Sequence, residues 1–381
     1  MADKRKSPPP PPNAGAVALA KRARPSDADG ALVRGPGGAL VARDSRTSSL
    51  RAAVVALKDA HGAEILDVKF APDGQTIAAA GTDQTISLWE TLGENRNIGQ
   101  LQGHRRAVTC VAWLPPTGER YLVSGSADTT LAVWNTATGE KVRRWRGHKG
   151  IVNSVACARS GPRALVASAS DDGHVLLWDL EERRPVDAWD FRFPVTAVEF
   201  SADASQLFVG GIDNAVHVMD IASKQEHYAL RGHADTIASL ALSPSGTHLL
   251  SSSLDDTVRI WDVRPFAPDR EPGQTGDPRL YRTLTGTTSG FENLLIRAAW
   301  SPDGERVASG SADRTCTVWE CVQTSALVCR RLPTSVDKGT VIYKLPGHRG
   351  TCTAVSVHPV EPIVVSASTD RTLLLGEIEP E

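Results

Sequence analysis

The segment SASDDGHVLLWD, residues 168–179, brings two carboxylates and an imidazole close to a tryptophan. Asp171, Asp172 and His174 are ligand types for a divalent metal ion. A carboxylate beside a histidine is also a pair used in general acid–base catalysis. Structural hydrogen-bond networks use the same residue types, so the rest of the sequence has to decide between chemistry and support.

The cluster is one copy of a pattern that recurs along the chain. Each copy has a run of small residues, an aspartate, five further residues and then a tryptophan or its replacement. These last positions are Trp89, Trp134, Trp178, Met219, Trp261, Trp319 and Gly376, spaced by 45, 44, 41, 42, 58 and 57 residues. A period near 43 residues indicates one repeat array rather than several unrelated domains.

A second mark, Gly-His or Ala-His, precedes five of the seven aspartates by 22–24 residues. It occurs at 60–61, 103–104, 147–148, 232–233 and 347–348. Each repeat also contains short Val-, Ala- or aromatic-rich runs, which predict strands. In the second repeat these are AVTCVAW (107–113), YLVSGSA (121–127), LAVWNT (131–136) and KVRRWR (141–146). Turns such as SPDG (301–304) carry Pro second and Gly fourth, typical of type I turns.

These marks closely resemble the WD-repeat family, which forms β-propellers. The resemblance implies an all-β, seven-bladed WD-repeat β-propeller over residues 50–381, preceded by a disordered N-terminal tail over 1–49. The last blade lacks an outer strand within its own repeat. We therefore expect AAVVAL (52–57) to pair with LLLGEI (373–378), which closes the ring and leaves no long open edge.

In that family the aspartate accepts a hydrogen bond from the histidine, which contacts a Ser or Thr that in turn reaches the Trp indole. By position, the resemblance implies three structural tetrads: His104–Ser124–Asp128–Trp134, His148–Ser168–Asp172–Trp178 and His233–Ser251–Asp255–Trp261. Asp172 is then a structural residue, and Asp171 and His174 are exposed turn or strand residues with no metal role.

The remaining repeats depart from this pattern. The first has Ala79 where the serine is expected, the sixth lacks the histidine, and the seventh has Gly376 in place of tryptophan. The fourth keeps only Asp213, so we expect its blade to be the loosest.

The sequence offers no sign of catalysis, of a metal site or of a cofactor. P-loop, zinc-protease and nucleophile-elbow motifs are absent. The six cysteines show no C-x-x-C spacing, which argues against zinc and fits a reducing compartment. No apolar run is long enough to span a membrane.

Charge divides the chain into two parts. Residues 1–49 hold nine Lys/Arg and four Asp/Glu, which leaves 33 basic and 40 acidic residues, or −7, for the rest. The clusters Lys4–Lys6 and Lys21–Arg24 are typical of a signal for a nuclear import receptor. An acidic body disfavours direct RNA binding, because proteins that grip many phosphates are basic.

Binding is expected on loops at the two faces of the propeller. Two loops are long, 264–279 and 321–339, and both join a third to a fourth strand. The opposite face carries basic residues beside the Gly-His and Asp turns. The partner-binding candidates are Arg264, Pro265 and Phe266 on the first face, and Arg314 and Arg371 on the other.

Several strings, including IVNSVACARSGP (151–162), DDTVRIWDVRPFAP (255–268) and YKLPGH (343–348), resemble WD-repeat subunits of the U5 small nuclear ribonucleoprotein. The resemblance implies a nuclear, non-enzymatic scaffold in pre-mRNA splicing, bound to the particle's large scaffold protein beside its GTPase and helicase. RNA would be contacted only indirectly. The loop 321–339 is longer than this family leads us to expect.

An alternative is a substrate receptor of a cullin-type ubiquitin ligase or a chromatin-associated adaptor. The string Trp261-Asp262-Val263-Arg264 fits the W-D-x-R pattern of such receptors.

Overall fold

The computed structural model describes residues 33–34, 40–41, 48–50, 52–58, 60–115, 120–161, 163–266, 276–321 and 339–378. The chain divides into two units, Met1–Arg46 and Thr47–Glu381. In the first, β1 (Val33–Arg34) pairs antiparallel with β2 (Leu40–Val41). Most of the predicted tail, including both basic clusters, lies outside the described residues.

The second unit contains seven four-stranded antiparallel sheets, which we call blades one to seven in chain order. The closing strand is β3 (Val54–Leu57). Blade one contains β4 (Ile65–Phe70), β5 (Thr76–Gly81), β6 (Thr85–Glu90) and β7 (Asn97–Gln102). Blade two contains β8 (Val108–Trp113), β9 (Tyr121–Ser126), β10 (Thr130–Asn135) and β11 (Glu140–Arg146). Blade three contains β12 (Val152–Cys157), β13 (Leu165–Ser170), β14 (His174–Asp179) and β15 (Asp187–Asp190).

Blades four to seven follow the same order. Blade four contains β16 (Val195–Phe200), β17 (Gln206–Gly211), β18 (Ala215–Asp220) and β19 (Glu226–Arg231), and blade five contains β20 (Ile237–Leu242), β21 (His248–Ser253), β22 (Thr257–Asp262) and β23 (Leu280–Thr285). Blade six contains β24 (Ala298–Trp300), β25 (Arg306–Ser309), β26 (Thr315–Glu320) and β27 (Thr340–Pro346). Blade seven contains β28 (Cys352–Val357), β29 (Ile363–Ser368) and β30 (Leu373–Glu377).

The first strands form a closed ring. Each contacts the first strand of the next blade, and β28 of blade seven contacts β4 of blade one. The prediction of a seven-bladed propeller is therefore confirmed. The predicted type I turns are also present: the amide of Gly304 donates to the carbonyl of Ser301 at 3.0 Å, and Gly304 has a φ of 74°.

The second strands are rich in small residues because neighbouring blades pack closely against them. Every residue of β5 is buried. At Gly125, in β9, an added Cβ would lie 2.6 Å from Cys110 Sγ and 2.7 Å from Val152 of blade three. Such distances are too short for a real side chain, so close blade packing requires glycine there.

Six first strands contain an irregularity in their register, and in four of them the polar side chain at that position bonds to the next blade. Thr353 donates its hydroxyl hydrogen to the carbonyl of Ile65 at 2.7 Å, linking blade seven to blade one. Thr109 makes the same bond to Val152, and Thr196 makes it to Ile237. Asn153 reaches the carbonyl of Val195 at 2.9 Å. These four bonds link blades seven and one, two and three, three and four, and four and five.

A buried arginine crosses the central channel of the ring. Arg297, which precedes β24, donates from its guanidinium to the carbonyls of Thr109 and Asn153 at 3.1 and 2.8 Å. Its Nε lies 3.4 Å from an oxygen of the fully buried Asp67. Blade six is thereby tied to blades one, two and three, and the channel is obstructed at this level.

The N-terminal strand supplies the fourth strand of blade seven. β3 pairs antiparallel with β30, with Val54 opposite Gly376 and Leu57 opposite Leu373. Leu57 is 3% exposed and lies in a core cluster that spans blades seven and one. The first and last strands of the propeller are thus held together by a hydrogen-bonded ladder and by shared apolar packing.

We predict that Leu57→Ala lowers the free energy of unfolding by about 3 kcal/mol, because it removes apolar contacts at the closure and leaves a cavity. Val54 is 58% exposed in the same strand, so Val54→Ala serves as the matched control and should cost about 0.5 kcal/mol or less. Urea denaturation followed by tryptophan fluorescence measures both. Equal losses for the two variants would contradict the packing role assigned to the closing strand.

Candidate functional site

The cluster that first suggested chemistry forms a hydrogen-bonded chain inside blade three. Trp178 Nε1 donates to Ser168 Oγ at 2.8 Å, and Ser168 Oγ lies 2.7 Å from His148 Nε2. His148 Nδ1 lies 3.1 Å from Asp172 Oδ2, which also accepts the amide of Lys149 at 2.7 Å. The strands β13 and β14 place the serine and tryptophan, while the two turns beside them place the histidine and aspartate.

The same chain is present in blades two and five. In blade two, the Trp134–Ser124, Ser124–His104 and His104–Asp128 distances are 2.8, 2.8 and 3.2 Å. In blade five, the corresponding Trp261–Ser251, Ser251–His233 and His233–Asp255 distances are 2.7, 2.7 and 2.9 Å. The structure thus brings together all twelve side chains that the sequence placed in tetrads.

The direction of donation is the same along each tetrad. Indole N–H can only donate, so the serine oxygen accepts from tryptophan and its own hydrogen points to His Nε2. The histidine then carries its hydrogen on Nδ1 and donates to the aspartate, a tautomer assigned from the network. Burial lowers the pKa of His104, His148 and His233, and this effect exceeds the opposing effect of their aspartates. The imidazoles are therefore neutral at pH 7.

The aspartates are held in the ionised form. Burial by itself would raise the pKa of Asp128, but hydrogen bonds from Thr130, the Arg105 amide and His104 outweigh it and lower the pKa to about 2. The pKa values of Asp172 and Asp255 are lowered for similar reasons. A carboxylate that is ionised and already accepts several hydrogen bonds is poorly suited to exchange protons with a substrate.

The other two members of the opening cluster are also engaged in local structure. Asp171 is exposed and accepts the side-chain amide of Asn153 at 2.7 Å. His174 Nδ1 lies 2.9 Å from the carbonyl of Asp172. Among the residues that the structure describes, no group of three or more His, Cys, Asp or Glu could hold a metal ion.

The five described cysteines, Cys110, Cys157, Cys316, Cys321 and Cys352, are free thiols. Burial raises the pKa of Cys110 to about 11 and that of Cys316 to about 12. Such thiols stay protonated at neutral pH and are poor nucleophiles.

Blade one completes its chain with a serine from a different strand. Ala79 occupies the expected position in β5, but Ser87 lies directly opposite it in β6. Ser87 Oγ accepts from Trp89 at 3.0 Å and lies 2.9 Å from His61 Nε2, and His61 Nδ1 lies 2.9 Å from Asp83. This tetrad was not predicted from the sequence, because the serine was expected only on the second strand of the blade.

Blade seven has three of the four members. His348 Nδ1 lies 3.2 Å from Asp370, and His348 Nε2 lies 2.9 Å from Ser366. Gly376 stands at the tryptophan position and is paired with Val54 of the closing strand.

Blades four and six depart furthest from the pattern. In blade four, Phe193 lies against Gly211, and Asp213 pairs with His217 at 2.6 Å within the same hairpin. In blade six, Trp319 donates to the backbone carbonyl of Thr285 at 3.1 Å instead of to a serine.

The partner-binding candidates Arg264, Pro265 and Phe266 follow β22 on the face that carries the 3–4 loops. Phe266 is 95% exposed. Arg264 is held by Asp262, with its Nε 3.0 Å from both carboxylate oxygens. Residues 267–275 of this loop, and 322–338 of the other long loop, lie outside the described residues.

Aromatic and arginine side chains surround this segment, and we call the group the blade-five surface. Arg279 donates to the carbonyl of Arg264 at 2.8 Å, and its guanidinium lies 4.2 Å from the ring centre of Tyr228. His248 and Tyr281 have ring centres 4.9 Å apart, and Tyr281 is 54% exposed. The blade-five surface consists of Tyr228, His248, Arg264, Phe266, Arg279 and Tyr281. Sequence analysis proposed only Arg264 and Phe266, because the others come from separate strands.

Arg314 and Arg371 lie on the opposite face, in the turns that follow the aspartates of blades six and seven. Both have positive φ, 70° and 69°, a conformation that is uncommon for residues other than glycine. Both are exposed. The two arginines come from neighbouring blades, whereas Arg264 belongs to blade five and points to the other rim.

This fold and its tetrads define a class of protein, the propellers built from WD repeats. The family model described as "WD domain, G-beta repeat" matches residues 54–90, 95–135, 139–179, 224–262, 279–320 and 339–375. The chain therefore belongs to the WD-repeat family. The stretch between 179 and 224, which holds most of blade four, is not matched, in agreement with its atypical residues.

More specific relatives are similar along nearly the whole chain. The sequence is 42% identical over 344 residues to the U5 small nuclear ribonucleoprotein 40 kDa protein of Homo sapiens, covering 90% of this chain and 89% of that one. The protein of the same name from Dictyostelium discoideum is 37% identical over 91% of this chain and 90% of its own. The pre-mRNA-splicing factor cwf17 of Schizosaccharomyces pombe is 34% identical, covering 84% and 86%. Within the WD-repeat family, the chain groups with these proteins.

We predict that Asp172→Ala lowers the free energy of unfolding by about 3–5 kcal/mol, since it leaves His148 and the Lys149 amide without their buried acceptor. Asp213→Ala is the matched control. The Asp213 side chain is 29% exposed and belongs to no tetrad. Its removal should therefore lower the free energy of unfolding by only about 1 kcal/mol. Differential scanning calorimetry compares the two. Equal melting shifts would contradict the structural role given to Asp172.

Proposed function

We propose that this chain is a non-enzymatic scaffold subunit of the U5 small nuclear ribonucleoprotein and acts in pre-mRNA splicing in the nucleus. The observation that carries the proposal is the 42% identity to a U5 40 kDa protein over 90% of this chain and 89% of that one. The tetrads support a structural use of the His and Asp residues, which leaves the two faces of the propeller for assembly.

The blade-five surface is the first proposed docking site. Tyrosine and arginine are the residue types that most often dominate binding energy at protein interfaces, where aromatic side chains in general are enriched. Arg264 is already ordered by Asp262, so little side-chain entropy is lost when a partner binds it. The exposed Phe266 ring offers apolar area next to that charge. We propose that the particle's large scaffold protein binds here, beside its GTPase and helicase subunits.

Arg314 and Arg371 form the second proposed contact, on the opposite rim. An arginine in an exposed turn presents its five N–H donors to a carboxylate without having to leave a buried site. Partners at this rim are expected to offer acidic side chains. RNA is expected to be contacted only indirectly, because the residues after 49 carry a net charge of −7.

The proposed import signals, Lys4–Lys6 and Lys21–Arg24, belong to the basic N-terminal segment. They supply the kind of short lysine- and arginine-rich peptide that nuclear import receptors bind.

Affinity purification of the tagged full chain from nuclear extract tests the function. We expect U5 RNA and the large scaffold protein to co-purify. Recovery of a cullin-type ligase adaptor or of chromatin proteins in place of both would contradict the proposal and favour the alternative adaptor role.

The same purification tests the docking site. Arg264→Ala/Phe266→Ala should reduce recovery of the large scaffold protein by about tenfold or more, as expected when interface anchors are truncated. Phe291→Ala is the matched control, since Phe291 is another fully exposed phenylalanine, placed in the loop before β24. Unchanged recovery with the double variant, or an equal loss with the control, would contradict the docking site while leaving the function standing.

A further inference from the structure

A cavity of about 750 Å³ lies where blade seven meets blade one, on the face that carries the Gly-His turns. Its walls come from four parts of the chain: the end of β3, the turn before β4 with His61 and Gly62, the turn before β28, and the segment that runs from the turn after β29 into β30. The residues that matter for its chemistry are Lys58, Arg349, Asp370, Arg371 and Thr372. We call it the closure cavity, because its walls join the first and last strands of the ring.

Among the described residues that line the closure cavity, three are cations and one is a carboxylate. Lys58, Arg349 and Arg371 are all exposed, and no ion pair is formed by any of them within the described part of the chain. The single carboxylate, Asp370, is already occupied. It accepts the Arg349 amide at 2.7 Å and the Thr372 hydroxyl at 2.6 Å, and lies 3.2 Å from His348 Nδ1. The net field inside the cavity is therefore positive.

The equivalent part of blade five carries two exposed carboxylates beside the partly buried Arg259. Asp235 follows His233 by two residues, in the turn where blade seven has Arg349 one residue after His348. Asp256 occupies the position after the turn aspartate, with a φ of 63°, where blade seven has Arg371 with a φ of 69°. One face of the ring thus carries a basic side at blade seven and an acidic side at blade five. A negatively charged ligand is repelled from blade five and attracted to the cavity.

We propose that the closure cavity binds an acidic peptide segment, with its carboxylates held between Lys58, Arg349 and Arg371. Arginine binds carboxylates through two parallel N–H donors, and two arginines and a lysine from three elements can accommodate successive acidic side chains. The apolar side chains of Ala56 and Leu374 complete the wall and suit the aliphatic part of such a peptide. This deepens the contact proposed for Arg371 and in that respect rests on the proposed function.

Binding at this place has a consequence for the fold. Lys58 belongs to the closing strand segment, whereas the two arginines belong to blade seven. A peptide that bridges them holds the first and last strands together. A ligand that binds only the closed ring raises its stability in proportion to its concentration over Kd. We therefore expect the peptide to raise the melting temperature of the full chain.

Fluorescence anisotropy with purified full-length protein and a fluorescein-labelled hexaglutamate peptide tests the site. We expect saturable binding that weakens as salt rises, and at least about a tenfold weaker affinity for Lys58→Gln/Arg349→Gln/Arg371→Gln. The matched control is Arg105→Gln/Arg106→Gln/Lys149→Gln, which removes the same charge from the same face at blades two and three, and which should change the affinity by less than about threefold. Both triple variants alter exposed side chains, and their melting temperatures without peptide should match that of the wild type.

Two results would overturn the proposal. The first is an equal loss of affinity in both triple variants, which would mean that the peptide senses only total charge. The second is tighter binding of a uridine hexanucleotide than of the peptide, with the same dependence on Lys58, Arg349 and Arg371, which would assign the cavity to RNA. Because purified protein and peptide are used, this test can fail while U5 RNA still co-purifies in the nuclear experiment, and the reverse also holds.

Discussion

The hydrogen bond between a buried neutral histidine and an ionised aspartate is the interaction on which this propeller depends. It ends a chain that starts at a tryptophan indole and passes through a serine in blades two, three and five, and blade one has the same four residue types in contact. In blades two, three and five, the chain ties the second and third strands of the blade to the turn that precedes its first strand. The histidines and aspartates that look most reactive in the sequence therefore stabilise the blades. Binding is then expected at the two faces of the ring.

Two further devices turn seven sheets into one rigid platform. Polar side chains at the irregular positions of four first strands, such as Thr353 bonding to Ile65, link neighbouring blades. Arg297 spans the channel and links blades that are distant in the sequence. The first strands form a closed inner ring, and β3 pairs with β30 as the outer strand of blade seven. Both rims then present fixed side chains, aromatic and cationic at blade five on one side, cationic at blades six and seven on the other.

The sequence predicted best those features whose interactions lie within one repeat. The 43-residue period, the Gly-His pair and the Asp–Trp spacing predicted the blades, and the resemblance to the WD-repeat family that these marks carry implied the tetrads of blades two, three and five, each of which lies within one repeat. It missed Ser87, since cross-strand partners occupy neighbouring space and the hydroxyl can come from either strand. It also missed Arg297, whose partners come from other blades, one of them 188 residues away in the sequence. The blade-five surface was only half predicted for the same reason.

In the tetrads of blades two, three and five, His104, His148 and His233 are neutral structural donors. Long-range ¹⁵N–¹H correlation spectra of the imidazole rings test this role most directly, with His148→Gln used to assign one set of signals. We expect His104, His148 and His233 to carry hydrogen on Nδ1 alone at pH 7 and to become protonated only at a pH below the ordinary histidine pKa of about 6.5, because burial lowers their pKa. Doubly protonated rings at pH 7, or hydrogen on Nε2 alone, would contradict this role.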